Sequence, residues 1–336
     1  MILVSWYGSF PAMGTIGDLL AVRSVVSRLV AAGLDVTHAS AHGIEIPGSL
    51  RVELAEAAPN NFGALLFVCG PIIRDHAQTQ ALFAQFAALR KIGVGVSLFP
   101  PSHRNYDNPF DLVLAREGRS PRYEDVAIAA PLDPDVRART NSQFTVGVVL
   151  RGTQSEYEPR QCFAERTAEI VDEAARTIAA RRNGRVVNIE NHLHRSGLPA
   201  ASIEAQYAAC DLVLTSRFHG AMLALRHDVP FVAIDQIEGG AKVRGLLAST
   251  GWPCVFEAEA TDGAAIAVAC EHALTSRMRQ RLAQVKHDAI RRAHATLASM
   301  EEAIQPAVAA SAATLPVRSP VQRRTADSNA SALPFV

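Results

Sequence analysis

Within residues 211–245, DLVLTSRFHGAMLALRHDVPFVAIDQIEGGAKVRG, lie three side chains suited to a small anion: Arg217, His219 and Lys242. A guanidinium offers a planar fork that grips a carboxylate or phosphate through two hydrogen bonds. An ammonium supplies a point charge, and an imidazole can donate or accept a proton near neutral pH. An apolar run at 211–216 ends at Arg217-Phe218-His219, and a helix-like segment, His219 to His227, follows at once. A second apolar run, 229–234, leads to Gly239-Gly240 and then Lys242. In open α/β sheets ligands bind beyond the carboxyl ends of the strands, and a helix N-terminus adds positive potential there. The spacing predicts a site for a densely anionic small molecule, with Arg217, Phe218, Gly220 and Lys242 as binding residues.

Other residues join this set by the same logic. Val149-Leu150-Arg151-Gly152 repeats the strand-then-arginine arrangement, which makes Arg151 a further anion contact. The loop from Gly8 to Gly17-Asp18 leaves the first predicted strand and opens the first predicted helix. Gly17 would let backbone approach a ligand, and Asp18 either caps the helix or orients and deprotonates an acceptor hydroxyl. Cys69-Gly70-Pro71 and Arg74 end another apolar run, where a tight turn is the simpler reading. His192 and His194 alternate, but no cysteine, histidine or aspartate of matching spacing accompanies them, so they predict a cleft-lining or exposed loop and no metal. GxGxxG, Gly-Lys-Ser/Thr, GxSxG and HExxH are all missing, which leaves dinucleotide, phosphate-loop, serine-triad and zinc-peptidase chemistry without support.

Short apolar runs alternating with amphipathic stretches must position these residues, and that alternation predicts α/β domains with parallel sheets. Strands are expected at 2–7, 35–40, 64–69, 93–98, 112–115, 144–150 and 185–189, besides the two already named. Helices are expected at 18–32, 79–89, 159–181, 203–209 and 279–304. The segment 130–141 carries prolines and charges without apolar period and reads as a linker. The expected plan is two Rossmann-like, doubly wound domains, 1–135 and 142–304, facing across a cleft that holds the site. Residues 305–336, rich in Ala, Ser, Pro and Thr, read as a disordered tail.

Composition narrows the function classes. Apolar residues make up 49% of the 336, enough for two cores, and 33 basic against 33 acidic residues give a net charge of +0. That balance predicts no nucleic-acid partner and no broad attraction to an anionic membrane. No run approaches the roughly 18 apolar residues of a membrane span, and the first residues lack the pattern of a signal peptide. Five scattered cysteines without a CxxC pair suit reduced thiols in a cytoplasmic protein.

Thr215-Ser-Arg-Phe-His219, followed by Gly220-Ala-Met-Leu-Ala-Leu and Val229-Pro-Phe-Val-Ala-Ile, resembles the polysaccharide pyruvyl transferase family. Phe218 stands at an aliphatic position of that motif, Asp228 at its glycine, and Lys242 where a downstream lysine is expected. Gly17-Asp18 resembles the family's Gly-Asn-x-Gly-Asp opening with Thr15 in the asparagine place. Cys69-Gly70-Pro71 stands for a Gly-Gly-Gly turn, and Leu114-Ala-Arg116-Glu117 is similar to a strand ending in Arg-Glu/Asp. The resemblance implies a fold like the two-Rossmann (GT-B-like) glycosyltransferases and phosphoenolpyruvate as donor, without a cofactor. It further implies transfer of pyruvyl to a hydroxyl pair of a sugar or lipid-linked glycan, forming a ketal for a surface polysaccharide or glycolipid. The first domain would hold the acceptor and the second the donor, with peripheral contact at the inner membrane face. His219 would then carry a proton or bind phosphate, and Asp18 would act on the acceptor. Two alternatives remain: a nucleotide-sugar glycosyltransferase, with Glu238 toward the nucleoside, and a non-catalytic member of the family.

Overall fold

The computed structural model describes residues 1–117, 123–134, 136 and 143–314. Seven strands form the first sheet: β1 (Ile2–Ser5), β2 (Val36–Ala39), β3 (Leu50–Val52), β4 (Ala64–Val68), β5 (Pro71–Ile72), β6 (Arg90–Leu98) and β7 (Leu112–Glu117). Five form the second: β8 (Thr145–Val149), β9 (Arg185–Asn188), β10 (Leu212–Thr215), β11 (Phe231–Asp235) and β12 (Val255–Glu257). Every pairing is parallel. The first sheet runs β3-β2-β1-β4-β6-β5, with β7 also on β6; the second runs β12-β11-β10-β8-β9. This is the expected pair of Rossmann-like sheets.

Parallel strands covered on both faces are near-continuous apolar runs, and β1, β4 and β11 are buried at every residue. Helices α1 (Ile16–Ala31) and α2 (Ala77–Gln85) cover the first sheet; α3 (Ala164–Arg181), the short α4 (Leu193–Ser196), α5 (Ala200–Ala208), α6 (Phe218–Arg226), α7 (Val243–Leu247) and α8 (Gly263–Ala273) belong to the second. One apolar core runs through both halves, from Ile2 and Leu66 to Val213 and Ile234. A second cluster, built on Leu3, Phe67, Phe83 and Phe110, fills the other face of the first sheet.

The expected disordered tail begins too early. Helix α9 (Ser276–Thr314) continues through Pro306, and Ile304 is fully buried. A proline has no N–H for the preceding turn, yet the apolar spacing up to Ile304 anchors the helix ahead of it. Residues 315–336 lie outside the described residues. Helix α9 also leaves the second half: Arg292 Nε donates to Glu124 at 2.7 Å, and Arg28 pairs with Glu301 at 2.5 Å. Much of the expected linker is outside the described residues, but its start is clasped. The Arg226 guanidinium donates to the carbonyls of Ile128, Ala130 and Pro131 and pairs with buried Glu204 at 2.9 Å. Among the described residues, no helix is long and apolar enough to cross a membrane.

Candidate active site

In each sheet the strand order reverses once, between β1 and β4 and between β8 and β10. A crevice opens beyond the carboxyl ends of such a strand pair. The two crevices face each other across a cleft of about 380 Å³ lined by Asp18, Arg116, Arg151, Arg217, His219 and Lys242, among others. Backbone bonds join the halves on one side of it. Ile16 N donates to Asn191 O at 2.9 Å, and Leu193 N to Gly14 O at 3.2 Å.

Arg217 is the N-cap residue of α6. Its N–H donates to Thr215 Oγ1 at 2.9 Å and its Nε to Leu150 O at 2.8 Å, which holds the side chain across the end of β8. One guanidinium nitrogen, Nη2, is 3.4 Å from His192 Nδ1. Among the described residues no carboxylate lies within ion-pair distance of Arg217. Burial, with the charge of Arg151 beside it, lowers its pKa to about 10. A half-buried guanidinium without a counter-charge costs free energy unless a ligand supplies one.

Arg151 and Lys242 complete the cationic side. Arg151 N donates to Ser216 Oγ at 2.8 Å, and its guanidinium is 3.9 Å from Glu156. Lys242 Nζ is 3.0 Å from Glu156 Oε1 and 5.4 Å from the centre of the Tyr157 ring. Asp235 fixes the loop by accepting from the backbone N–H groups of Lys242 and Arg244. Burial lowers the pKa of Lys242; burial opposes the charge of Glu156, but Lys242 and Arg151 hold it below the usual carboxylate range. Lys242 is therefore neutralised before any ligand arrives, and Arg217 is not. His192, bonded to Glu190 at 2.7 Å, has its pKa lowered by burial and by Arg217.

His219 lies deeper, on the first turn of α6, and every charged group near its ring comes from the first half. Nε2 is 3.2 Å from Asp125 Oδ2, 3.3 Å from Arg116 Nη1 and 3.5 Å from Cys69 Sγ. Nδ1 is 3.8 Å from Asp18 Oδ1. Arg116 also pairs with Asp125 and donates from Nε to Ser97 Oγ at 2.9 Å. Burial opposes the charge of Asp125, yet His219 and Arg116 hold its carboxyl well below the usual range. Burial pushes the Cys69 thiol well up, so it stays protonated.

Asp18 has two duties, one per oxygen. Oδ2 accepts from Thr15 N at 2.9 Å and Thr15 Oγ1 at 2.8 Å, closing the capping box of α1. Oδ1 is the oxygen that faces His219. Three donor atoms, from Asp18, Cys69 and His219, lie within 4.8 Å of one another. Arg116 Nη1 stands beside them, 3.2 Å from Cys69 Sγ and 3.3 Å from His219 Nε2, and its positive charge opposes a cation there.

Of the residues the sequence singled out, Arg151, Arg217, Phe218, His219, Lys242 and Asp18 line the cleft. Phe218 is only 7% exposed, and its ring lies 5.2 Å from the Arg116 guanidinium, so it chiefly supports that side chain. Gly17 and Gly220 act by lacking a side chain. A Cβ on Gly17 would stand 2.2 Å from His219 Cγ, and one on Gly220 2.2 Å from Thr215 Oγ1. Arg74 is turned away, its Nε donating to Tyr106 O at 3.1 Å. Sequence reasoning missed Asp125 and Glu156, which no motif or spacing marks, and gave His192 no anion-facing role.

Residues 145–236 match the family model of polysaccharide pyruvyl transferases. The matched segment holds Arg151, Glu156, His192, Arg217 and His219; Asp18, Cys69, Arg116, Asp125 and Lys242 lie outside it. No curated protein matches the chain. Among solved structures, the chain is similar to a UDP-N-acetylglucosamine 2-epimerase from Listeria monocytogenes. That pair has a TM-score of 0.56 at 13% identity, covering 91% of this chain and 97% of the other. The spinosyn rhamnosyltransferase SpnG gives 0.52 at 13% identity, covering 90% and 100%. A complex of S. aureus MnaA with UDP gives 0.51 at 12% identity, covering 84% and 90%. These likenesses show the fold, the GT-B arrangement of two Rossmann-like sheets.

Proposed function

We propose that this cleft transfers a pyruvyl group from phosphoenolpyruvate to two hydroxyls of a sugar, forming a pyruvate ketal. The observation that carries the proposal is the half-buried Arg217 guanidinium beside Arg151, with no carboxylate among the described residues within ion-pair distance, inside the segment that matches the family model. Phosphoenolpyruvate bears a phosphate and a carboxylate on three carbons and needs more than one cationic contact. Arg217 and Arg151 would take one group in bidentate fashion and Lys242 the other. The acceptor would enter from the side of Asp18, as a glycan or lipid-linked sugar met at the inner membrane face by a cytoplasmic enzyme.

The chemistry begins with a proton delivered to the methylene carbon, leaving an oxocarbenium-like centre stabilised by the adjacent carboxylate, while Arg217 and Lys242 would neutralise the charge of the donor and of the leaving phosphate. One hydroxyl adds to that centre and gives up its proton. The carbon–phosphate oxygen bond then breaks, phosphate departs, and the second hydroxyl closes the ketal as its proton is lost. In this reading His219 would exchange a proton with the reacting groups, and Asp18 would receive one from an acceptor hydroxyl.

Thermal unfolding with phosphoenolpyruvate, inorganic phosphate and nucleoside diphosphates tests the reading. At a hundredfold excess over Kd, a native-state ligand adds about 2.7 kcal/mol, which moves the midpoint by several degrees. The expected result is a shift with phosphoenolpyruvate that Arg217→Ala abolishes. A shift with a uridine or guanosine diphosphate alone would move the protein to nucleotide-sugar glycosyl transfer. No shift with any of them would leave the catalytic reading without its donor.

A further inference from the structure

We propose that Asp125 is the positioning residue of His219, holding a proton on Nε2 so that Nδ1, on the side of Asp18 and the cleft, is the working nitrogen. The inference rests on the pyruvyl-transfer reading only for naming what Nδ1 would protonate. Its footing is the geometry of a buried cluster assembled from four separate places in the first half. Asp125 precedes a 3-10 turn (Val126–Ala129), Arg116 ends β7, Cys69 follows β4, and Asp18 lies on α1. All four face one imidazole that belongs to the second half.

Asp125 is 1% exposed, and both of its oxygens are committed. Oδ1 accepts from Ala127 N at 2.9 Å; Oδ2 accepts from Arg116 Nη1 and lies 3.2 Å from His219 Nε2. Two lone pairs at 3.2 Å would repel, so a proton must sit between Oδ2 and Nε2. The carboxylate, paired with Arg116 and held well below its usual range, does not carry it. The proton is therefore on Nε2, and Arg116 and His219 both donate to one carboxylate oxygen. The competing arrangement, with Nε2 accepting from Arg116 or the Cys69 thiol, would leave Asp125 Oδ2 facing a lone pair. It would also turn an Nδ1–H toward Asp18 at 3.8 Å, too long for a hydrogen bond.

Two consequences follow for the ring. In its neutral form Nδ1 is the bare nitrogen, and in its charged form Nδ1–H carries the transferable proton, because Nε2–H is held by Asp125 in both. Since the ring and its holder belong to different halves, this arrangement exists only while the halves meet across the cleft. Gly17 bears on the same point: its missing Cβ lets the imidazole, with Nδ1 at 2.5 Å from that position, reach its seat.

The test is nitrogen-15 NMR of the histidine-labelled full-length protein at a pH where His219 is neutral, its resonances identified by their loss in His219→Gln. The expected result for the unsubstituted protein is the Nε2–H tautomer as the sole form. In Asp125→Asn, both tautomers should be populated while the phosphoenolpyruvate-induced midpoint shift stays within about twofold, since the anion clamp does not include Asp125. An Nδ1–H tautomer in the unsubstituted protein would overturn the assignment, and so would an Asp125→Asn spectrum unchanged from the original. The first measurement needs no substitution at position 125, so it decides even if that variant fails to fold. It also needs no donor, so failure of phosphoenolpyruvate to bind would sink the pyruvyl-transfer reading and leave this tautomer result standing by itself.

Discussion

Gly17→Ala separates the site from the fold more cleanly than any charge removal. Gly17 has ordinary helical backbone at the start of α1, so alanine meets no backbone strain and improves helix propensity by up to about 1 kcal/mol. Its new Cβ would stand 2.2 Å from His219 Cγ, where ordinary contact begins at 3.4 Å. Because His219 Cβ would also lie within 2.5 Å of it, the whole His219 side chain must move by about 1.2 Å and cannot escape by turning the ring alone. His219 Nε2 is 3.2 Å from Asp125 Oδ2 and 3.5 Å from Cys69 Sγ. A displacement of that size toward them is sterically closed, and one away breaks the hydrogen bond. Misplacing a catalytic group by 1 Å costs about 10²-fold in rate, whereas local crowding costs about 1–3 kcal/mol in stability, partly offset by the helix gain. The assays are circular-dichroism melting and phosphate release from phosphoenolpyruvate with saccharide acceptors supplied. The expected outcome is a folded protein, melting within a few degrees of the original, with turnover down about a hundredfold. Gly152→Ala, where a Cβ would meet nothing within 4 Å, is the control and should be neutral. A folded Gly17→Ala protein with undiminished turnover would refute the placement of His219 at the centre of the chemistry.

Further outcomes follow from the charges. Lys242→Met leaves the buried Glu156 carboxylate with the more distant Arg151, 3.9 Å away, and should cost about 3 kcal/mol in denaturant titrations; adding Glu156→Gln should restore most of it without restoring the response to phosphoenolpyruvate. If the double variant were as unstable as the single, the pair would not be the origin of the loss. Arg217→Met should stabilise the ligand-free protein by about 1 kcal/mol, because an unpaired guanidinium is removed, while abolishing anion binding. A loss of stability there would mean that the bond to Leu150 outweighs the charge. Burial lowers the pKa of His38, His76 and His192, so each binds its proton more weakly folded than unfolded. As the pH drops below about 6.5 the unfolded chain takes up protons first and stability is lost. The melting midpoint should therefore fall between pH 7.5 and 5.5, less steeply in His192→Gln; a midpoint that rises would contradict the sign.

The parallel sheets were legible because strands such as Ala64–Val68 and Phe231–Asp235 are covered on both faces and leave continuous apolar runs. Strand β3 was not, since Leu50 and Arg51 at the sheet edge are exposed and carry no apolar period. That Arg151, Arg217 and Lys242 share one cleft was legible because each comes after the carboxyl end of a strand of the second sheet. Asp125 was illegible for the converse reason. It reaches His219 across 94 positions of sequence, and its place depends on how its 3-10 turn packs against α1 and α9. Asp18 was half legible: its capping role is a local pattern, whereas its second oxygen acquires a partner only when the halves meet.

Helix α9 sets a timetable for synthesis. Glu124 in the first half is tied to Arg292 across 168 positions, and Thr296 accepts from its backbone N–H. At about 5–20 residues per second, roughly 10–30 s separate the emergence of these partners from a ribosome. During that interval the turn that carries Asp125 lacks the helix that packs over it. The packing around the imidazole seat is therefore completed only once α9 has emerged and folded back onto the first half.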